Sequence, residues 1–281
     1  MMDIKPFGPI AGEFIQDNSE VSVIVGPVGS AKTTAACIRL NRHAYEQQPD
    51  SDGVARTRFA IVRNTRRQLL DTTLKTWFKV FPEDIYGPFQ RTAMTHHWQF
   101  KPKGADYRID AEFVFRALDD EADVTNLLSA EYTGAWFNEV REINQDILVH
   151  MGRRVGRYPT APTWLGWIGD SNSWDFEHHL HDWLVVNPRE GYRLFKQPGG
   201  LDDGAENVDN LPGGRAYYER ALRDYNQSDA DVYVHCKWGA SRHGKPIYVD
   251  YSDGVHIAPV SLDRNAPLLF GWDLGRTPSG S

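Results

Sequence analysis

Residues 21–34 read VSVIVGPVGSAKTT. The first five are β-branched or small, which suits a strand buried on both faces. A glycine-containing loop follows, ending in Lys32-Thr33, and TTAACIRLNRHAYEQQ (33–48) then reads as a helix. A loop between a strand and a helix aims several backbone N–H groups at one spot. The helix N-terminus adds positive potential there, so the spot suits a phosphate. The pattern G-x-x-x-x-G-K-[ST] is matched except at Ala31, where glycine is usual. A methyl group costs little at a helical position and strains a left-handed one. The expectation is that Ala31 begins the helix, where alanine is tolerated. Gly26, Pro27, Val28, Gly29, Ser30, Ala31, Lys32, Thr33 and Thr34 then form an ATP-binding loop. Lys32 would reach the β- and γ-phosphates and Thr33 would ligate Mg²⁺. The plain alternative is an ordinary strand–helix turn with a lysine at its end.

Downstream, β-rich runs alternate with helical ones. RFAIVR (58–63) is a second strand, and RRQLLDTTLKTWFKVF (66–81) a helix with Leu70, Leu74, Trp77 and Phe81 at helical spacing. HHWQF and YRIDAEFVFRAL suggest a β-hairpin or meander around Lys103-Gly104. TGAWFNEV and TWLGWIGD read as two more strands, and YRLFKQ (192–197) as one that closes the sheet. Such alternation predicts an α/β fold with a mostly parallel sheet and helices on both faces. A glycine- and acid-rich connector, PGGLDDGAENVDNLP (198–212), leads to a short helix, GRAYYERALRDYNQ. Trp98, Trp136, Trp164 and Trp167 lie in strand-like runs, which assigns them to the core.

A phosphate loop needs a partner that aligns water and helps hold the metal. The usual source is a second apolar strand ending in two acids. YTGAWFNEV ends in Asn138-Glu139 before its final valine. Glu139 is the expected general base or water-positioning group. Asn138 takes the metal-side place of the missing aspartate, through a water. Its amide oxygen carries no charge, so Mg²⁺ is expected to be held less tightly.

Composition sets bounds. The chain has 281 residues, 41% hydrophobic and 25% charged, with a net charge of −7. It is long enough for a sizeable core. The acidic balance argues against a protein coated in nucleic acid, but leaves room for a local basic patch. No run approaches the ~20 apolar residues of a membrane span, so no membrane partner is expected. Cys37 and Cys236 are too few for a disulfide framework.

Taken in order, GPVGSAKTT, IVRNTRRQLLDTTLKTW, YTGAWFNEVREIN, GRRVGRYP, WIGDSNSWDFEHH and FGWDLGRTP resemble the large terminase subunit of tailed bacteriophages. The first and third are general to phosphate-loop ATPases; the last three are more specific. The resemblance implies a P-loop NTPase fold of the additional-strand type. Its parts would be an ATPase core over 1–200, a lid or linker over 201–262, and the first strand of an RNase H-like nuclease domain over 263–281. Asp273 would be a metal-binding acid of that nuclease. Its other acids are missing from this chain, so no DNA cutting is expected of it. The resemblance also places a coupling motif at GDSNS, with Ser171 and Asn172 sensing the γ-phosphate. It implies a homo-oligomeric ring that moves double-stranded DNA into a procapsid. A portal protein and a small terminase subunit would be its partners, and the host-cell cytoplasm its location.

Many members carry an arginine early in the loop, where this chain has Pro27 and Val28. An arginine from a neighbouring subunit would then stabilise charge on the transferring phosphoryl group. Arg141, Arg153, Arg154 and Arg157 follow Glu139; Arg153 and Arg154 are the choices, with a solvated basic face as the alternative. DNA contacts need only local cations. Arg66, Arg67, Lys75 and Lys79 form one such group, and Lys101, Lys103 and Arg108 another. Two other functions stay open: a helicase-like DNA-stimulated ATPase, and an assembly protein whose loop binds nucleotide weakly.

Overall fold

VSVIV forms β1 (Val21–Val25), all five residues buried, in a computed structural model that describes residues 7–239. The further strands are β2 (Val54–Val62), β3 (Phe89–Gln90), β4 (Thr95–Phe100), β5 (Arg108–Arg116), β6 (Gly134–Asn138), β7 (Gly166–Ser171) and β8 (Tyr192–Lys196). They make one sheet in the order β3-β4-β5-β2-β6-β7-β1-β8. Strands β5, β2, β6, β7, β1 and β8 run parallel. Strand β4 is antiparallel to both neighbours, so of the expected hairpin or meander the structure has a short meander, β3-β4-β5. Strand β7 lies between β1 and β6. It is thus the added strand separating the loop-bearing strand from the acid-bearing one, as the additional-strand fold requires.

The helices are α1 (Pro9–Gln16), α2 (Lys32–Glu46), α3 (Arg66–Gln68), α4 (Leu74–Val80), α5 (Glu83–Tyr86), α6 (Glu121–Ser129), α7 (Gln145–Met151), α8 (His179–His181), α9 (Ala216–Asp224) and α10 (Gln227–Tyr233). Side chains alternate across the sheet because the strand period is two. Ile24, Phe59, Ile61, Trp136 and Ile168 face one core with Phe14, Leu40 and Trp77 of α1, α2 and α4. Val23, Val25, Ala60, Phe137 and Trp167 face the other, with Leu127, Leu148 and Met151 of α6 and α7. Both faces of the parallel sheet are therefore dry, which accounts for its apolar strands. All four of the singled-out tryptophans are buried.

One helical assignment is corrected. Leu74, Trp77 and Phe81 are buried as expected, but Leu70 is 42% exposed and Leu69 takes the inward place at 1%. A π-helical turn, Leu69–Thr73, lies between α3 and α4. Its wider turn rotates the face, so an α-helical count across it selects the wrong leucine.

Parallel strands bring their carboxyl ends to one edge, where ligands of open α/β sheets bind. Here that edge carries the loop after β1, Arg63 after β2, Asn138-Glu139 at β6 and Asp170-Ser171 at β7. Asn138 is opposite Asp170 in register, and Val25 is opposite Ser171. The expected nuclease strand with Asp273, and the part of the expected lid from 240 to 262, lie outside the described residues.

Candidate functional site

The loop folds tightly over its own lysine. Lys32 Nζ donates to Pro27 O at 2.6 Å and meets Ser30 Oγ at 3.5 Å. Burial pushes the Lys32 ammonium down from its ordinary value, against the raising pull of Glu139 and Asp170. Gly26 is pressed against its surroundings: a Cβ there would lie 2.0 Å from Gln197 Oε1. Gly29 sits at φ 77°, a conformation that glycine adopts without steric cost.

Ala31 departs from its expectation. It is the N-cap of α2, at φ 67° and ψ 17°, rather than a helical residue. Left-handed backbone costs a non-glycine residue about 1–2 kcal/mol. The loop keeps the shape that glycine would give it and carries that strain.

Thr33 Oγ1 donates to Asp170 Oδ2 at 2.7 Å. The Asp170 carboxylate is fully buried. It also accepts from Trp136 Nε1 at 2.7 Å and from Asn138 Nδ2 at 3.1 and 3.0 Å. Asn138 Oδ1 is turned the other way and accepts from Thr73 Oγ1 at 2.6 Å. The carboxylate fixes this orientation, because an amide oxygen facing it would repel. The nitrogen of Asn138, not the oxygen expected to face the metal, points to Thr33 and the loop. Nothing local in the sequence singles out Asp170. It ends a glycine-containing run, GWIGD, and reads there as the start of a polar turn.

Glu139 follows β6 at φ 53° and ψ 55°. A left-handed glutamate is strained, and such strain gathers at functional sites. Its Oε2 is buried without a hydrogen-bond partner. Burial pushes the carboxyl up from its ordinary value; Lys32 opposes that, Asp170 adds to it, and Arg141 and Arg63 oppose it. Arg63 is held by Glu142 at 2.8 Å and meets Asn138 O at 3.4 Å.

Ser171 and Asn172 touch the loop directly. Gly26 N donates to Ser171 O at 3.3 Å, and Asn172 Nδ2 donates to Gly26 O at 2.9 Å. Two further supports are not legible in the sequence. Gln197 accepts from Ser30 Oγ at 2.7 Å and donates to Ser30 O at 3.0 Å and to Glu206 at 2.7 Å. Glu206 in turn accepts from the Ile10 and Ala11 amides of α1 at 2.6 and 3.0 Å. The connector is thus a brace under the loop, and Asn207 Nδ2 adds a bond to Gly29 O at 2.6 Å.

Arg153 and Arg154 are not part of this constellation. Arg154 O accepts from Tyr132 N at 3.2 Å, ahead of β6 at the amino edge of the sheet. Asn138 is six residues further along that segment, about 20 Å at a strand's rise. An arginine side chain does not span that distance. Arg153, Arg154 and Arg157 line a cavity of about 170 Å³ with Leu128 and His150. The two basic groups considered for DNA also part company. Arg66 and Arg67 follow the carboxyl end of β2, whereas Arg108 begins β5 opposite Val54 at the amino edge.

The residues present fit a magnesium ion. Such an ion takes oxygen ligands from a hydroxyl, phosphates and one or two carboxylates. Thr33 Oγ1 donates its hydrogen to Asp170 and accepts only a long contact from Asn138 Nδ2 at 3.5 Å, which leaves it a lone pair for a cation. Together, the added strand, the glycine-containing loop after β1 and the paired polar strand ends give this chain the fold of phosphate-loop NTPases of the additional-strand class.

No protein-family model matches the sequence, and no curated protein matches it. Solved structures do match. The large terminase of a thermophilic bacteriophage gives a TM-score of 0.63 at 12% identity, covering 83% of this chain and 54% of that one. The ATPase domain of the Thermus phage P74-26 large terminase gives 0.56 at 14% identity, covering 83% and 94%. The HK97 bacteriophage large terminase gives 0.51 at 12% identity, covering 82% and 49%. The first of these proteins has also been solved in complex with ADP and with ATP-gamma-S. This chain therefore has the fold of large-terminase ATPase domains. It spans about half the length of the thermophilic-phage terminase.

Proposed function

We propose that this chain is the ATP-hydrolysing part of a motor that drives double-stranded DNA into a viral procapsid. The convergence of Lys32, Thr33, Asn138, Glu139 and Asp170 at one sheet edge, in a fold shared with large-terminase ATPase domains, carries the reading. The loop from Gly26 to Thr34 would bind the phosphates through its backbone N–H groups. Lys32 would exchange Pro27 O for the β- and γ-phosphates. Thr33 would hold Mg²⁺, whose charge offsets that of the phosphates. Glu139, largely shielded from solvent and lacking a partner for one oxygen, would orient the attacking water and take its proton. Ser171 and Asn172 would pass the loss of the γ-phosphate from the loop to β7.

Charge on the transferring phosphoryl group also needs an arginine. Arg153 and Arg154 lie too far from their own loop, which supports their action on a neighbour's site in a ring. Partners in this reading are DNA, a portal, a small terminase subunit and further copies of this chain, in the host-cell cytoplasm. No helix among the described residues is long and apolar enough to cross a membrane.

The test is Mg²⁺-dependent ATP hydrolysis by wild type and Glu139→Ala, with and without double-stranded DNA, over a range of protein concentration. Turnover that rises with concentration or DNA and is lost in Glu139→Ala supports the motor. A wild type that neither binds nor hydrolyses ATP at any concentration favours the assembly protein instead, with the strained Ala31 as its mark.

A further inference from the structure

The strand that should end in two acids ends in an amide and an acid, Asn138-Glu139. Its register partner on the added strand is Asp170. Asparagine therefore stands where a carboxylate is wanted, and a carboxylate stands one strand over, between that asparagine and the loop. We propose that Asp170 supplies the negative charge that holds the divalent cation beside Thr33, with Asn138 orienting it. The proposal rests on the nucleotide-site reading above and deepens it.

Three observations carry it. Asp170 is fully buried, and burying a carboxylate costs several kcal/mol unless it is compensated. The compensation seen is neutral: the hydroxyl of Thr33, the indole of Trp136 and the amide of Asn138. No Lys, Arg or His among the described residues makes an ion pair with it, although the Lys32 charge is felt nearby. A buried anion with only neutral donors is a place where a cation is favoured. Second, the 2.7 Å bond from Thr33 Oγ1 fixes which side of the threonine oxygen faces outward for a metal. Third, Asn138 Nδ2 contacts both Asp170 oxygens while Thr73 holds its other end. The amide is therefore a clamp on the carboxylate, not a substitute for it.

The reading in which Asp170 only ties β6, β7 and the loop together predicts no special dependence on the metal. The two are separated by binding rather than by turnover. ATP-gamma-S affinity is measured with Mg²⁺ and in EDTA, and bound Mn²⁺ is followed by electron paramagnetic resonance. The expected result for Asp170→Asn is EDTA-state affinity within a few-fold of wild type. Its metal-dependent gain should fall by about 10–100-fold, the usual effect of losing an outer support of a metal site. The exchange variant Asn138→Asp/Asp170→Asn returns the charge to β6 and should recover Mn²⁺ binding. Unchanged Mn²⁺ binding in Asp170→Asn overturns the proposal. Where Asp170→Asn alone does not fold, the folded exchange variant decides: Mn²⁺ bound as in wild type supports the proposal, and no Mn²⁺ bound overturns it. A wild type that fails to bind ATP-gamma-S in EDTA and in Mg²⁺ alike removes the nucleotide-site reading itself, and this proposal with it.

Discussion

Arg141 Nε lies 3.8 Å from Glu139 Oε2, and the same guanidinium bonds Ser173 O at 2.9 Å and Tyr233 Oη at 3.1 Å. One side chain thus joins the proposed water-activating carboxylate, the end of β7 and the helix α10. Tyr233 also accepts from the loop, through Val28 N to Tyr233 O at 2.8 Å. Replacing Arg141 with glutamine should leave ATP binding within a few-fold. It should lower kcat by about tenfold or more, a loss of roughly 1.4 kcal/mol, because the carboxylate loses its cationic neighbour and the bonds to Ser173 and Tyr233 are cut. Arg141 also helps keep the Glu139 carboxyl from rising further, so the acid limb of the kcat profile should move to higher pH. A profile that falls in amplitude without moving would leave only a structural role for this arginine.

Glu139 sets activity against stability. Burial raises its carboxyl above the ordinary value of 4.5. With the folded value above the unfolded one, the ionised group at neutral pH works against folding. Glu139→Gln should therefore have a higher Tm than wild type at pH 7–8. The gain should vanish as pH falls below the unfolded glutamate value, where both states hold the proton. Turnover in the same variant should drop by about 10²–10⁴, the usual range for a lost general base. Equal melting temperatures across the whole pH range would count against the buried, ionised carboxylate.

The loop's strain is open to a direct check. At φ 67°, Ala31 bears a cost of about 1–2 kcal/mol that glycine escapes, less about 0.4–1 kcal/mol from glycine's freer unfolded chain. Ala31→Gly should be stabilising by up to about 1.6 kcal/mol on these figures. A β-branched residue is still less suited to this conformation, so Ala31→Val should destabilise. Denaturant unfolding of both variants settles the order; a glycine variant weaker than the valine variant would contradict this backbone.

The sequence reveals the loop, the strand ending in Glu139 and the closing strand β8 because each rests on a contiguous signal. Five buried residues in a row, or a glycine loop running into a helix, are local facts. Asp170 is not local: its meaning comes from lying opposite Asn138 and beside Thr33, and register between distant strands is not written in either segment. The same holds for Glu206, an acid in a polar connector until α1 is laid over it. Leu69 and Leu70 exchange places because a π turn breaks the 3.6-residue count. Ala31 defies its expectation because the loop geometry overrides what alanine prefers on its own.

His43 gives the fold an acid-sensitive point away from the site. Its ring stacks on Trp164 at 4.0 Å, and burial, with Arg39 and Arg42 beside it, pushes its pKa down from 6.5 to about 2. The folded state thus holds neutral histidine where the unfolded chain takes up a proton. Stability from this source is present above pH 6.5 and is lost progressively as pH falls towards 2. His43→Phe, which keeps a ring against Trp164, should flatten the fall in stability just below pH 6.5. Parallel curves for the two proteins would show that His43 is not the group responsible.

Arg153 and Arg154 sit at the amino edge of the sheet and Glu139 at the carboxyl edge. If the arginines act on a neighbour, a working site needs Glu139 from one subunit and the arginines from the next. Arg153→Ala/Arg154→Ala subunits should bind ATP but turn it over poorly, and Glu139→Ala subunits should do the same. Mixed together, the two inactive proteins can pair an intact Glu139 with intact arginines at a fraction of their interfaces. ATPase activity should reappear on mixing, with a maximum near equal proportions. A subunit acting on its own nucleotide gives no such recovery at any ratio. The control is the same mixture with both lesions carried on one chain and wild-type subunits added: activity should then fall more steeply than the wild-type fraction, as its square for random mixing, without a maximum. Mixed rings that form, bind ATP and stay inactive would remove Arg153 and Arg154 from the reaction.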